Sequence, residues 1–170
     1  MIRKEGLKLD SKVRLLKYAE DITPYAEKGL EEEFYKKFKP LEVKESEHNV
    51  ALNEGIDQIF ALICGVGSIF YNNATARIGV GNGTTAAEAA QDGLQGGTTA
   101  FAGMETGFPS LGTQKAIFKA SFGAAEANFP WYEWTVDNGA TSDKNLNRKQ
   151  ESLGTKSSGT WTLEVEISAS

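Results

Sequence analysis

Short segments of alternating apolar and polar residues, separated by glycines, fill the chain from residue 76 to its C-terminus. In the clearest segment, Gly159–Ile167, the side chains of Trp161, Leu163, Val165 and Ile167 share one side of an extended backbone, and threonines and glutamates share the other. A period of two residues is that of a strand with one buried face. Of the 18 glycines, 16 lie after residue 48, where they supply turns. This pattern favours a fold built mainly from β-strands.

The same alternation predicts further strands, and a period near 3.6 predicts helices. The predicted strands cover residues 12–18, 41–45, 76–80, 115–122, 131–136 and 145–152. The predicted helices cover residues 24–38, 49–64 and 84–91, and residues 92–113 are predicted to form a long surface loop.

Two of the helices differ in character. The helix over 24–38 is charged and amphipathic. The helix over 49–64 is almost entirely apolar in its second half, so we expect it to be central to the core, with Asn49 as its N-cap and Gly65 at its C-terminal end. Cys64 is expected to be buried there as a small apolar residue.

The sequence therefore predicts a mainly β fold with α elements (α+β). We expect an antiparallel β-sandwich or jelly-roll-like sheet, packed by the apolar helix and supplemented by the charged N-terminal helix. Residues 1–48 hold 11 basic and 11 acidic residues, so the net charge of −5 belongs to residues 49–170. At this length 1–170 is predicted to be a single domain, with the segment 1–48 (strand, helix, strand) either integrated with the β-rich core or appended to it.

No membrane or export segment is predicted. The N-terminus is charged and has no apolar stretch behind it, and the most hydrophobic window, Ile56–Phe70, is short and interrupted by Gly65 and Gly67. We expect synthesis in the cytoplasm and no membrane partner.

Composition excludes several classes of function. One cysteine permits no internal disulfide and no cysteine-based zinc site, and the single histidine, His48, lacks a second histidine to complete a metal site. The acidic balance argues against nucleic acid as a partner. We predict no metal and no cofactor, and we interpret His48 as a structural or surface residue.

A glycine-rich loop at 77–85 has the order of a phosphate-binding loop, strand then glycines then helix start. It lacks the lysine of a P-loop, since none occurs between Arg77 and Lys115, and Gly83 follows Gly81 too closely for the dinucleotide fingerprint. A tight turn followed by a helix cap is the preferred interpretation.

Three carboxylates lie near aromatic residues in the sequence. Glu126, Glu133 and Asp137 surround Trp131 and Trp134, as in a site that cleaves sugars with paired carboxylates. Aromatic residues in strands more often belong to a core or an interface, so we predict that the chain is not an enzyme.

From residue 49 onward the chain resembles a family of small virion structural proteins from tailed bacteriophages and prophages. The resemblance is carried by four groups of residues that together span about 120 positions. These groups are Asn49–Ile56; Tyr71–Gly81 with Thr84–Ala87; Phe118–Gly123 with Glu126–Phe129 and Trp131–Trp134; and Leu146–Lys149 with Leu153–Gly159. The charged helix 24–38 departs from the family pattern and looks like an insertion between two strands.

The resemblance implies a particle component without catalytic residues. The expected function is a capsid decoration (cement) protein that binds the major capsid protein on the outer surface of a phage head and stabilises it. An acidic protein suits the face away from packaged DNA. The expected assembly is a homo-oligomer, a trimer or a dimer. A tail- or fibre-associated component and a carbohydrate-binding module are the alternatives.

Two segments that contain aromatic residues are predicted to form the contact surfaces. They are the loop 92–113 and the strand 131–136. The side chains expected at the interface are Phe101, Met104, Phe108, Trp131, Tyr132 and Trp134.

Overall fold

A computed structural model describes residues 9–66, 69–139 and 144–169. Ten strands and three helices lie in these ranges. In chain order they are β1 Leu9–Tyr18, α1 Thr23–Ala26, α2 Glu31–Lys37, β2 Glu42–Glu47, β3 Val50–Ala51, α3 Asn53–Ile63, β4 Arg77–Gly81, β5 Thr99–Gly103, β6 Ser110–Gly112, β7 Lys115–Phe122, β8 Pro130–Asp137, β9 Asn145–Thr155 and β10 Thr160–Ala169.

The strands form two antiparallel sheets. The first sheet has the order β2-β1-β10-β7-β6, and the second has the order β3-β9-β8-β4-β5. The fold is thus mainly β with few helices, as the alternation in the sequence predicted.

One hydrophobic core joins the two sheets. The first sheet contributes buried side chains from β1, β7 and β10, and the second contributes them from β4, β8 and β9. Aromatic rings meet in this core: the Trp131 ring of the second sheet lies 4.9 Å, centroid to centroid, from both Phe122 and Trp161 of the first.

Strand β10 confirms the alternation read from the sequence. Trp161, Leu163 and Val165 face the core, and Ile167 packs against its edge. Thr162 on the opposite face is also buried, because the segment between β1 and β2 covers that end of the sheet.

The N-terminal segment contributes two strands to the first sheet. Strand β1 pairs with β10 along its whole length, from Leu9 opposite Ala169 to Tyr18 opposite Thr160, and its other edge pairs with β2. The helical region lies between these two paired strands, which is where the sequence placed it.

The single helix predicted over 24–38 is two helices. Gly29, between α1 and α2, has a φ of +65°, a left-handed conformation that ends a helix and that glycine adopts without strain. The break folds the two helices together over a second apolar cluster formed by Tyr18, Ile22 and Phe34.

Helix α3 begins later and is less buried than the sequence predicted. Asn49 is not its N-cap, because residues 50–51 pair with β9 as strand β3 and Leu52 precedes the first turn. At Gly55 the helix approaches β9 so closely that a Cβ atom would lie 2.5 Å from the Asn145 carbonyl oxygen. Only this side packs on the sheet, so the expectation of a helix central to the core is wrong.

Two other local predictions are also corrected. No helix forms at residues 84–91, and residues 92–113 are not a continuous loop, because they contain β5 and β6. Among the described residues, no helix is long and apolar enough to cross a membrane.

That 1–170 is a single domain stays a prediction, and β1 supplies its test. Deletion of residues 1–48 removes both β1 and β2 and leaves β10 without its partner on that side, so we expect the remaining chain to lose its cooperative thermal transition by circular dichroism.

The matched control keeps β1 and β2 and replaces residues 19–40 by an Asn-Gly turn, since the strand ends Lys17 and Glu42 already pair. This variant should melt cooperatively at a lower temperature, because it lacks the cluster around Phe34. A cooperative transition in residues 49–170 alone would show that the segment is appended.

Candidate functional site

A buried ion pair lies on the face of the second sheet that points away from the core. Glu133 of β8 and Arg148 of β9 are both fully buried, and an Arg148 guanidinium nitrogen lies 2.7 Å from the Glu133 Oε2 atom. Arg148 Nε donates a second hydrogen bond, also 2.7 Å, to the same oxygen. The arrangement is therefore a charge-assisted pair removed from water.

The backbone of residues 82–96 covers this pair. Glu133 Oε1 accepts hydrogen bonds from the backbone N–H groups of Gly83 (3.0 Å) and Gly96 (2.7 Å), and Oε2 accepts one from Gln95 (3.0 Å). The glycine-rich loop that resembled a phosphate-binding loop thus binds an anion, but the anion is the protein's own carboxylate.

The guanidinium holds the same loop from its other side. Arg148 donates to the carbonyl oxygens of Thr85 (2.8 Å) and Ala86 (3.1 Å) and to the Gln91 side-chain oxygen (2.8 Å). These bonds use the carbonyl groups that a helix at 84–91 would need for itself, which explains why the predicted helix does not form.

The other two candidate carboxylates each have their own partners. Asp137 is fully buried and accepts hydrogen bonds from two Arg77 guanidinium nitrogens, at 3.0 and 2.6 Å. Glu126 accepts from the backbone N–H of Gly123 at 2.7 Å. Together with Glu133, the three carboxylates predicted as an acid–base set are therefore held in separate structural contacts.

A buried lysine closes the turn between β7 and β8. The Lys156 ammonium donates to the carbonyl oxygens of Gly123 (2.7 Å) and Glu126 (2.9 Å) and to the Asn128 side-chain oxygen (3.0 Å). Burial lowers the pKa of Lys156, and the nearby Glu126 and Asp21 carboxylates act against that shift. The three oxygens compensate the charged ammonium and fix the turn.

A polar group lies beneath α2 on the outer face of the first sheet. The Tyr35 hydroxyl donates to the Glu105 carboxylate and lies 2.9 Å from Ser121 Oγ. Lys119 Nζ lies 3.3 Å from Glu105 and 3.7 Å from the centre of the Tyr35 ring. A cavity of about 320 Å³ opens beside this group, with three glutamates of α2 in its wall.

The predicted interface is wrong at two of its residues. Trp131 and Trp134 are fully buried in the core, where neither ring can contact a partner or a sugar. Simple alternation would place them on opposite faces of β8, but a bulge between Trp131 and Glu133 shifts the register and turns both rings inward. Their indole N–H groups donate to Ala127 and Glu151.

The remaining predicted interface residues keep some exposure. Tyr132 is half-buried on β8, and Met104 and Phe108 are half-buried beyond β5. Phe101 is exposed on β5, where the Arg77 guanidinium lies 4.6 Å from its ring centre. Their role at an interface stays a prediction.

The single histidine and cysteine lie at the surface. The His48 ring nitrogen Nδ1 is 3.0 Å from an Asp10 carboxylate oxygen, and the nearby Ser46 hydroxyl donates to Glu151. Cys64 is exposed at the end of α3, which corrects the expectation that it is buried. Among the described residues, no group of three or more histidine, cysteine or acidic side chains is placed to hold a metal ion.

An exposed apolar surface at the end of α3 was not predicted. Phe60 and Ile63 are exposed on α3, and Val66 is exposed three residues beyond its end. Phe70 is exposed too and follows Ile69, whose carbonyl accepts a hydrogen bond from Gln58. We call these four exposed residues the α3 patch. The helix is apolar on several sides and only one of them packs on β9, so the sequence pattern alone suggested complete burial.

Comparison of the chain with protein-family models, with curated proteins and with solved structures finds no match.

The buried ion pair gives a testable consequence for stability. Glu133→Gln leaves the Arg148 charge buried without a countercharge, so we expect the free energy of unfolding to fall by about 3–5 kcal/mol in urea denaturation. Backbone amides of Gly83, Gln95 and Gly96 should also exchange faster with solvent.

The control is Glu47→Gln, which breaks the exposed ion pair with Lys12 and should cost less than about 1 kcal/mol. Equal losses in the two variants would mean that burial of the pair does not decide its contribution.

The Tyr35 group predicts a dependence of stability on alkaline pH. Burial, reinforced by the Glu105 carboxylate, raises the pKa of the Tyr35 hydroxyl above its ordinary 10.0. Above pH 10 the unfolded chain therefore loses this proton while the folded chain keeps it, so the unfolding free energy should decrease as the pH rises.

Tyr35→Phe should make this decrease shallower in urea denaturation between pH 9 and about 11, because the other titrating groups are common to both proteins. Tyr25→Phe removes a hydroxyl outside the group, one that accepts a hydrogen bond from Lys37, and serves as the control. An unchanged slope in Tyr35→Phe contradicts the assignment.

Proposed function

We propose that the chain is a non-enzymatic structural protein of a tailed-phage particle, a decoration protein that binds the outer surface of the head and stabilises it. Its partner is then the major capsid protein, and its location is the head surface of a virion whose proteins are made in the host cytoplasm. The two sheets are proposed to be the layers of a β-sandwich, which would give the protein a rigid body.

The observation that carries the proposal is the α3 patch. Large apolar side chains in solvent mark surfaces that a partner covers. No charged residue occurs in the sequence between Asp57 and Arg77, so the segment that carries the patch favours an apolar contact over a charged ligand. A repeating shell presents such contacts many times without requiring a pocket.

The use of the polar residues supports the same proposal. Among the described residues, four charged side chains are almost completely inaccessible to solvent, and all are bound to other parts of the chain, where they hold segments in place: Glu133, Arg148, Asp137 and Lys156. Such contacts suit a protein whose function is to present a fixed surface. The sequence resemblance over residues 49–170 and the net charge of −5 point to the outside of a particle.

The alternatives receive unequal support. The carbohydrate-binding hypothesis relied on Trp131 and Trp134, which are buried. A tail- or fibre-associated location uses the same kind of contact surface, so position on the particle decides between it and the head.

A matched pair of variants tests the contact. Val66→Glu places a charge in the α3 patch at a residue that is 80% exposed, and Leu41→Glu places one at a residue that is 77% exposed and lies beside β2. Burying an unpaired carboxylate is costly, so we expect Val66→Glu to weaken binding to purified heads by about tenfold or more, and Leu41→Glu to leave it unchanged.

The measurement is co-sedimentation with heads, with cryo-electron microscopy of the particle to locate the protein. Regular density over the head lattice supports decoration. A few copies at the vertex or the tail would contradict it, and equal binding by both variants would exclude the α3 patch as the contact.

A further inference from the structure

One of the four edge strands lacks the features that usually block pairing. Edge strand β2 carries four charged residues, and β3 and β6 are only two and three residues long. Strand β5 has five residues, Thr-Ala-Phe-Ala-Gly, with neither charge nor proline. Folded proteins normally protect such an edge, because its free backbone groups pair readily with another strand.

The hydrogen-bond pattern shows which residues of β5 face outward. Asn82 N–H donates to the Thr98 carbonyl at 3.1 Å, so the pair 82–98 is a hydrogen-bonded pair of the antiparallel ladder. Bonded and non-bonded pairs alternate, and Ala100 and Ala102 therefore bond to β4. The N–H and C=O groups of the alternate residues, at positions 99, 101 and 103, point away from the sheet, and no backbone bond to them is found within the described ranges.

Space for another strand lies beside this edge. A cleft of about 400 Å³ has Phe101, Ala102 and Gly103 on one side and α1 with the turn after β7 on the other. The C-terminal half of β5 thus borders an unfilled space, which ends where the Glu105 N–H donates to the Lys119 carbonyl of β7.

We propose that two copies of this chain pair through β5, antiparallel across a two-fold axis at Phe101. In this register Phe101 lies opposite Phe101 of the second copy, and Thr99 lies opposite Gly103. The residues that face each other are the ones with outward N–H and C=O groups, so each pair exchanges both of its hydrogen bonds. The second sheets of the two copies then form one continuous sheet.

A second copy fits this edge because the strand is complementary to itself. Residues 93–104 contain no charged side chain, so pairing brings no like charges together along the strand. The symmetric contact places two Phe101 rings side by side. Because a two-fold axis pairs the β5 edge of each copy with the other, no β5 edge remains for a third copy, and the assembly stops at a dimer. The inference goes beyond the proposed function: of the trimer or dimer expected from the sequence, it specifies the dimer.

The decisive variants are at Gly103. A Cβ atom there meets nothing within 4 Å, so Gly103→Ala keeps both the space and the outward N–H. Gly103→Pro removes that N–H without removing a bond to β4, and proline is tolerated where a strand edge faces outward. We expect wild type and Gly103→Ala to be dimers by sedimentation, and Gly103→Pro to dissociate with a Kd raised by about tenfold or more.

The sedimentation experiment is carried out in the presence of salt and a reductant. Salt screens Glu27 and Glu126, the acidic groups that line the cleft of each copy, and the reductant prevents disulfides through the exposed Cys64.

Amide hydrogen exchange of the wild-type protein provides a second measurement, which does not require any variant to fold. The amides of Thr99, Phe101 and Gly103 should become protected as the protein concentration rises, whereas those of Ala100 and Ala102 should be protected throughout.

The proposal is overturned if the wild type remains a monomer with these amides unprotected, or if Gly103→Pro leaves the oligomer intact. If the wild type is a monomer and Gly103→Pro abolishes its binding to heads, the β5 edge pairs with a strand of the shell instead of a second copy. No head is present in the sedimentation experiment, so its failure is distinct from a failure of head binding.

Discussion

The pair of Glu133 and Arg148 places a strong constraint on the outer side of the second sheet. Two charges removed from water stabilise a fold only if every remaining hydrogen-bonding position is satisfied. Here the backbone of residues 82–96 provides those partners, amides for the carboxylate and carbonyls for the guanidinium. Opening the loop would break all of these hydrogen bonds together, so the loop and the ion pair hold each other in place. A segment rich in glycine and without regular secondary structure is in this way given a defined shape.

Polar side chains hold segments on the outer faces of the sheets elsewhere in the molecule too. Apolar side chains fill the space between the sheets, and ionic or hydroxyl groups fix the segments on their outer faces. Arg77 with Asp137 and Tyr35 with Glu105 are the other examples. The core explains why the strands pair, and the outer polar contacts explain why the connections between them adopt one conformation. Surfaces such as the α3 patch and the β5 edge lie outside both systems.

The sequence predicted the strands well because their signal is local. Residues 115–122 and the alternation of Trp161, Leu163 and Val165 depend on a period of two along one segment. The failures involve interactions between distant segments. The bulge that turns both Trp131 and Trp134 inward depends on the register with β9, and the missing helix at 84–91 depends on Arg148, about 60 residues away in the sequence. The buried pair itself had only a weak signal, a glutamate and an arginine on predicted strands.

The Lys156 ammonium takes the place that a bound cation would have in a coordinated turn. Three oxygens converge on its ammonium as they would on a bound cation, and the turn between β7 and β8 takes its shape from that coordination. An ion held only by coordination leaves when its concentration falls or when a chelator competes for it. A cation tethered to the backbone by four methylene groups has a fixed local concentration. The order of this turn therefore requires no cation from the medium, inside a cell or outside it.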